Sequence, residues 1–504
     1  MFFKEILNTI STIAAEKNKR IYLVGGFLRD LYLGKPGQDL DFAVSGNAMS
    51  LAQSISEALK GVYIPLDRIN RVARVVLEPH GEKWQIDFSS FKGLNIEDDL
   101  SNRDFTINAT ALELSDYIRL SDDSGALTGQ RAQRWRWHEK IIDPYSGLAD
   151  IENKTIRAIN NYVFETDPVR ILRGVRLAGK LGFSIKPETL GLMEQNHWLL
   201  QEVSGERAWE ELAAIHALPQ SYPLIVILDK IGALSELFPV EEIMKVTDQK
   251  RHRGNVWAHS LKTYKVLEKI CADPGWELET TGRSEELREL VLQHLEQPLA
   301  AGRRRVQLIK IAALLHDPGK AVTARVRADG QVDFPGHSSA GLAYVGEFAR
   351  RLKISKTEES YLKNIAGNHM YPLILFINKP ASPAAIHRFF TRLGKEVTDT
   401  LLLSLANVAA GGTVGENVID PTEYRAFAGD LLFKYYFEAG TYVQPPTLIK
   451  GEDLMAVLGL TPSRKIGELL ERISEAQVNG EVATREEAIV YAAGLLDEDK
   501  TTCT

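Results

Sequence analysis

The sequence predicts an α/β head followed by a long, mostly α-helical remainder. Three observations carry that expectation. Residues 1 to about 140 alternate strand-like runs, at 21–24, 40–44, 74–77 and 85–88, with a helical run at about 48–59. From about Thr166 onward the apolar spacing is helical almost throughout, with breaks near 219–223, 273–283, 302 and 411–415. Between 21 and 46 the order is a short apolar strand, a Gly25-Gly26 turn, a short helix, a Pro/Gly loop and a strand bearing Asp39 and Asp41. A chain of 504 residues exceeds what one core holds, so about three or four domains are expected. Their expected bounds are 1–140 for the head, 141–240 for a helical neck, 241–415 for a larger helical domain and 416–504 for a helical tail.

Composition narrows the class. Hydrophobic residues are 44% and charged residues 25%, ordinary for a soluble globular protein. The net charge of −7 argues against gripping nucleic acid through overall charge, so any such contact must use local basic patches. The two cysteines, Cys271 and Cys503, build neither a disulfide framework nor a cysteine metal cluster. The opening Met-Phe-Phe-Lys-Glu meets an acid at Glu5, unlike the apolar core of a signal peptide. No apolar run approaches the roughly 18 residues of a membrane span. The expected setting is a reducing cytoplasm, with no membrane partner.

Asp39 and Asp41 stand two apart on a strand, so they share a face, while Leu40 and Phe42 turn to the core. Two neighbouring carboxylates repel unless a cation lies between them, which is how a site holds Mg²⁺ for in-line attack on a phosphate. Gly25 and Gly26 let backbone approach closely just before a helix N-terminus, a place suited to a triphosphate. Two solvated loop acids are the plain alternative. Asp87 alternates with Trp84, Ile86 and Phe88, putting it on the polar face of its own strand, able to complete the acid group.

The Gly-Gly turn, helix and Asp-x-Asp strand together resemble the signature of the nucleotidyltransferase superfamily that includes the polymerase-beta-like enzymes. The likeness is strongest to the branch of class II CCA-adding tRNA nucleotidyltransferases and bacterial poly(A) polymerases. That resemblance implies a polymerase-beta-like mixed sheet in the head, and an acid at the Asp87 position. Asn102-Arg-Asp followed by Phe-Thr-Ile-Asn-Ala109 resembles the family's Arg-Arg-Asp motif and its continuation, which carries Asn108. Arg103 suits a bidentate contact to triphosphate and Asp104 a ribose hydroxyl. Asn102 replaces the usual first arginine, which removes one cation. Arg29 matches the family's phosphate-side arginine; pairing with Asp30 or Asp39 is the alternative.

Thr166-Asp-Pro-Val-Arg170 is expected to open a helix with Thr166 as N-cap. Asp167 and Arg170 then share one face. A carboxylate only accepts hydrogen bonds and a guanidinium only donates. Such a pair matches the amino donor and ring acceptor of cytosine and adenine and mismatches uracil and guanine. The segment resembles the family's Glu-Asp-x-x-Arg motif, with Thr166 in place of the glutamate; a simple salt bridge is the alternative. Arg170, Arg173, Arg176 and Lys180 form a basic stripe able to hold an RNA 3′ end. Gly205-Glu-Arg-Ala-Trp-Glu-Glu-Leu212 resembles the next motif, a helix bracing the neck. Family members that add all of CCA carry a flexible loop after the third carboxylate. The interval 89–101 looks too short for it, which leans the expectation towards C-C addition.

His259, His316-Asp317, His337 and His369 recur through the second half, with His-Asp-Pro-Gly-Lys320 ending a helix. Imidazole and carboxylate ligands suit a divalent transition metal, whose activated water hydrolyses phosphate esters. The series resembles the HD phosphohydrolase domain. Asn407 stands where that family supplies a last aspartate, which implies one metal, weak binding or a scaffold. In the tail, residues 446–470 read helix, Gly-Leu-x-Pro turn, helix, with Arg464 and Lys465 available to RNA phosphates. A basic-aromatic stretch at 131–137 could touch RNA as well. The expected function is template-independent addition of C, A or both to a tRNA 3′ end from CTP and ATP. A poly(A) polymerase and a metal phosphohydrolase are the alternatives.

Overall fold

The computed structural model describes residues 2–35, 37–122, 139–249, 254–274, 283–328, 332–411, 413–414 and 417–502. The stretch at 131–137 lies outside them. The chain divides into two compact units: 1–203 with 231–233, and 204–230 with 234–504. The first holds a mixed sheet, and helices dominate the rest.

Six strands form the head sheet: β1 (Ile21–Val24), β2 (Asp39–Val44), β3 (Val62–Asp67), β4 (Val72–Leu77), β5 (Trp84–Ser90) and β6 (Ala111–Glu113), in the order β3-β4-β5-β2-β1-β6. Only β2 and β5 run parallel; every other neighbour is antiparallel. One face is the core. Leu40 and Phe42 of β2, Ile86 and Phe88 of β5, and Ala73 and Val75 of β4 are buried there. Phe42 stacks on Phe88 at 5.4 Å between ring centroids. Helices α1 (Phe2–Glu16) and α3 (Ala48–Leu59) contribute Ile6, Leu7, Ile10, Leu51 and Ile55 to the same core. Each such side chain is worth about 1.5–3 kcal/mol of apolar burial. The α3 helix starts where Asn47 accepts hydrogen bonds from the Met49 and Ser50 amides and stops at Lys60 in the left-handed region. The opposite sheet face therefore keeps the polar members of each alternation. The edge strand β3 is absent from the sequence reading because Pro65 interrupts its pattern; an edge tolerates proline where a central strand does not.

One neck expectation needs correction. Thr166 is not an N-cap; it ends a short helix, Val163–Thr166, and its hydroxyl donates to the Val163 carbonyl. The long helix spans Arg170–Leu181 with Val169 as its N-cap, three residues later than expected. Asp167 precedes Pro168 and is pushed to an extended φ of −155°, so no helix can run through it. A turn closed by the Arg170 amide on the Asp167 carbonyl links the two helices. Ile171, Leu172, Val175 and Ala178 are buried, and Arg170, Arg173 and Arg176 occupy the other side.

The second unit packs helices Val256–Ala272, Lys356–Asn368 and Val397–Ala409 around Arg305–Leu314, all of which is buried except Val306, and His337–Leu352 packs on Lys356–Asn368. Helix Gly205–His216, expected as a brace of the neck, belongs to this unit and sets Trp209 edge-on against Phe348. Helices Gly451–Leu458, Arg464–Val478 and Arg485–Thr502 have their own small core around Leu454, Leu469 and Ile473. No described helix is long and apolar enough to cross a membrane.

Candidate active site and a second metal-ligand cluster

Parallel pairing sets Asp41 of β2 directly beside Asp87 of β5, with Asp39 one alternation back on the same face. Asp41 and Asp87 open into a cavity of about 360 Å³ shared with Gly25, Gly26, Arg103, Asp104, Asn108, Arg170 and Arg173. Asp39 lies at the exposed start of β2. Burial pushes the Asp41 carboxyl up to about 6, and the charges of Asp87 and Asp39 add to the rise. Arg103 and the Phe27 amide pull it the other way without restoring it. A site whose own groups leave a carboxylate so poorly compensated suits a divalent cation.

Helix α2 (Gly25–Tyr32) begins directly at the end of β1. Gly25 has φ +66°, and a Cβ there would stand 3.0 Å from Arg103 Nη1 and 3.2 Å from Asp41 Oδ2. Glycine thus keeps the gap between guanidinium and carboxylate clear. Arg103 is aimed by Asp99, a buried acid that takes its Nη2 at 3.0 Å and the Lys92 amide at 3.0 Å.

Asp104 is buried and accepts from the Phe105 amide at 2.8 Å and Asn108 Nδ2 at 3.0 Å. Burial alone would raise its carboxyl, but Arg173, 3.5 Å away, and these hydrogen bonds outweigh it and hold it below the usual range. Asn108 Oδ1 in turn accepts from Arg29 at 2.7 Å. Arg29 was expected to face phosphate. It is 3% exposed, pairs with Asp30 at 2.7 Å, and does not line the cavity. Its guanidinium lies under the Gly25-Gly26 turn, so it props Asn108. Arg170 donates to the Asn102 and Arg103 carbonyls and lies 3.9 Å from Asp167. Arg176 continues the stripe away from the cavity.

Two residues here escaped the sequence reading. Arg74 of β4 grips Asp87 with two hydrogen bonds of 2.7 and 2.9 Å and holds Gln85 at 2.6 Å. Asp99 aims Arg103. The only signal for Arg74 in the chain was its polar position between Ala73 and Val75; nothing local tied it to Asp87.

The second cluster lies within the helical unit. Asp317 Oδ2 is 3.0 Å from His316 Nε2 and 3.7 Å from His259 Nε2. Its Oδ1 is 3.3 Å from His337 Nε2 and 3.4 Å from His369 Nε2. The Nδ1 atoms of His316, His337 and His369 face the carbonyls of Ala313, Phe334 and Ala366 at 2.7–2.9 Å, which orients each ring with Nε2 towards Asp317. Those three Nε2 atoms and both Asp317 oxygens are buried without an aligned hydrogen bond. Burial lowers His259 to about 3 and His337 to about 4, keeping them neutral. Burial would raise Asp317, but His316 and Lys320, whose Nζ is 2.6 Å away, hold it well below the carboxylate range. Neutral His259 and His337 beside an ionised carboxylate are protonation states that a metal needs. The His-Asp-Pro-Gly turn closes this tightly only because of Gly319, whose Cβ would fall 2.0 Å from the His337 carbonyl oxygen. Asn407 pairs with His259 at 2.8 Å, so the position expected to lack a charged ligand also engages one of the imidazoles.

A sheet that presents paired carboxylates beside a glycine turn, followed by a helical unit with a His-Asp cluster, defines a nucleotidyltransferase with an HD domain. Residues 21–157 match the poly A polymerase head domain, 182–243 a probable RNA and SrmB-binding site of polymerase A, 256–399 the HD domain, and 444–493 a putative tRNA nucleotidyltransferase domain 2. A CC-adding tRNA nucleotidyltransferase of Geobacter sulfurreducens is 28% identical, across 96% of this chain and 94% of that one. An A-adding tRNA nucleotidyltransferase of Deinococcus radiodurans is 27% identical, across 94% and 95%. A multifunctional CCA protein of Ralstonia nicotianae is 30% identical, across 66% and 68%. A solved CCA-adding enzyme of Thermotoga maritima complexed with tRNA superimposes with a TM-score of 0.60 at 20% identity, covering 98% of this chain and 95% of that one. The chain belongs to the family of CCA-type tRNA nucleotidyltransferases and bacterial poly(A) polymerases, and it is an enzyme of that nucleotidyltransferase class.

Proposed function

We propose that the chain is a template-independent nucleotidyltransferase acting on the tRNA 3′ end in the cytoplasm, with CTP, ATP or both as donors. The observation that carries the reading is the pairing of Asp41 with Asp87 beside Asp39, at a cavity that also holds Arg103, Asp104, Arg170 and Arg173. Two Mg²⁺ held by Asp39, Asp41 and Asp87 would supply activation of the RNA 3′-hydroxyl and neutralisation of the leaving pyrophosphate. Arg103 binds the triphosphate and Asp104 the ribose. Asp167 accepts from the exocyclic amine of C or A while Arg170 donates to the ring nitrogen. C-C addition is the favoured product. The interval after Asp87 is a short turn pinned by Asp98 on the Leu94 amide and Asp99 on the Lys92 amide, running into helix Ile96–Ser101. Such a turn cannot swing as the long loop of a full CCA-adding member does.

The HD cluster, His259, His316, Asp317, His337 and His369, suits a divalent transition metal, because its ligand atoms gather around Asp317 and most are buried without an aligned hydrogen bond. The deciding experiment gives the enzyme and Mg²⁺ three tRNAs, one lacking CCA, one ending in C-C and one complete, with CTP, ATP or both. Two cytidines and a stop establish C-C addition. Addition of A to the C-C end, or of all three nucleotides, keeps the family and overturns that product. Long A tails make it a poly(A) polymerase, and no extension removes the reading.

A further inference from the structure

Strand register draws one line of side chains across four strands on the polar face of the head sheet. Asp41 pairs with Asp87, Asp87 with Arg74, and Arg74 with Ile64. Paired residues project to the same face, so Ile64 continues the catalytic row two strand spacings, about 10 Å, beyond Asp87. Val62, paired with Val76, is on this face as well. Unlike the apolar residues of the other strands, these are open: Val62 is 63% exposed, Ile64 38%, and Leu66, at the strand's bulge, 48%. The turn that follows carries exposed Arg68 and Arg71. Its acid, Asp67, is turned inward on the Ile69 and Asn70 amides and the Asn70 side chain. Asn70 and Val72 line the active-site cavity, so this surface is continuous with it.

The placement of the other groups says what belongs here. Gly25, Gly26, Arg103 and Arg173 lie on the β1 and neck side of the carboxylates. An in-line displacement has the leaving pyrophosphate and the attacking hydroxyl at opposite poles of the phosphorus. With the triphosphate on the β1 side, the attacking strand arrives across β5, β4 and β3. We propose that the exposed face of β3 and its arginine-bearing turn form the platform for the RNA 3′ end. Val62, Ile64 and Leu66 support the last base and ribose, and Arg68 and Arg71 meet the phosphates. An aliphatic support reads no base identity, as a strand end that changes with each addition requires. This inference rests on the RNA-extending function proposed above.

The test uses the full-length enzyme with Val62→Ser/Ile64→Ser and Arg68→Ala/Arg71→Ala, each checked for an unchanged melting temperature. Steady-state extension of tRNA by CTP is read beside fluorescence anisotropy of a labelled tRNA minihelix, which needs no turnover. Both variants should raise the KM for RNA and the anisotropy Kd about tenfold while the KM for CTP stays put. The arginine variant should flatten the log–log salt dependence of binding by about 0.7 for each RNA phosphate that Arg68 or Arg71 had neutralised. Unchanged RNA affinity and salt slope in both folded variants would overturn the platform. Weaker RNA binding by the variants of an enzyme that extends no RNA would keep the platform and remove the functional reading instead.

Discussion

The head carboxylates and the HD carboxylate solve the same problem in opposite ways. In the head, Asp41, Asp87 and Asp39 share a sheet face, and Asp41 is driven up to about 6 by its burial, with the neighbouring acids adding to what Arg103 does not offset. In the HD cluster a single buried Asp317 is surrounded by four imidazoles and Lys320 and is held well below the usual range. A centre that lacks positive charge draws its cation from solvent together with a charged substrate and releases both. One built from imidazoles and a single anion is suited to a resident metal. A third carboxyl shows the remaining option. Glu241 is fully buried beside Asp229 and Lys245; burial pushes it up to about 8, so it is neutralised by a proton.

The sharpest break between the two centres is a pair of exchanges. Asp41→Ala should cut nucleotidyl transfer by roughly a thousandfold, the several kcal/mol carried by a metal ligand, while His316→Ala should leave the initial rate of transfer within about twofold. Single-turnover extension of tRNA measures both, and a large loss in His316→Ala would mean the two centres work as one. Next in size is Gly25→Ala. Its φ of +66° and the contacts near 3 Å to Arg103 and Asp41 predict a fall in kcat/KM of about a hundredfold and a loss of about 1–2 kcal/mol in chemical denaturation.

A smaller effect separates resident from recruited metal. After chelation, Mn²⁺ should raise the melting temperature of the wild type by a few degrees and that of His369→Ala not at all. Asn407→Asp, by adding an anionic ligand beside His259, should tighten Mn²⁺ roughly tenfold in equilibrium dialysis. The smallest concerns the protonated acid. Glu241 has a folded value above its unfolded one, so its contribution to stability is full below about 4.5 and lost as pH rises towards 8. Glu241→Gln should therefore match the wild type at pH 5 and melt higher at pH 8.5.

Much of this was legible in the chain itself. Asp39, Asp41 and Asp87 were placed on polar strand faces by period-two alternation alone, and helix Ala48–Leu59 ends where its Asn47 cap and apolar spacing put it. The His-Asp turn could be recognised because its ligands are adjacent and its glycine is local. Arg29 misled because a motif position says nothing about burial, and its guanidinium holds Asp30 and Asn108. The Thr166 cap failed to a short-range rule, the extended backbone demanded before Pro168, which outweighed the capping preference.

By itself the sequence determined the faces: which residues of each strand or helix point together, since those periods follow from backbone geometry. Only the tertiary structure decided which faces meet. That Asp87 lies beside Asp41, that Arg74 grips it, that Asp99 aims Arg103 and that Ile64 continues the same row depend on strand order and register. Four histidines spread over more than a hundred residues converge on Asp317 for the same reason. Such pairings are set by the burial of Phe42 against Phe88 and of the helix Arg305–Leu314 among its neighbours, contacts summed over the whole core and written in no single stretch of chain.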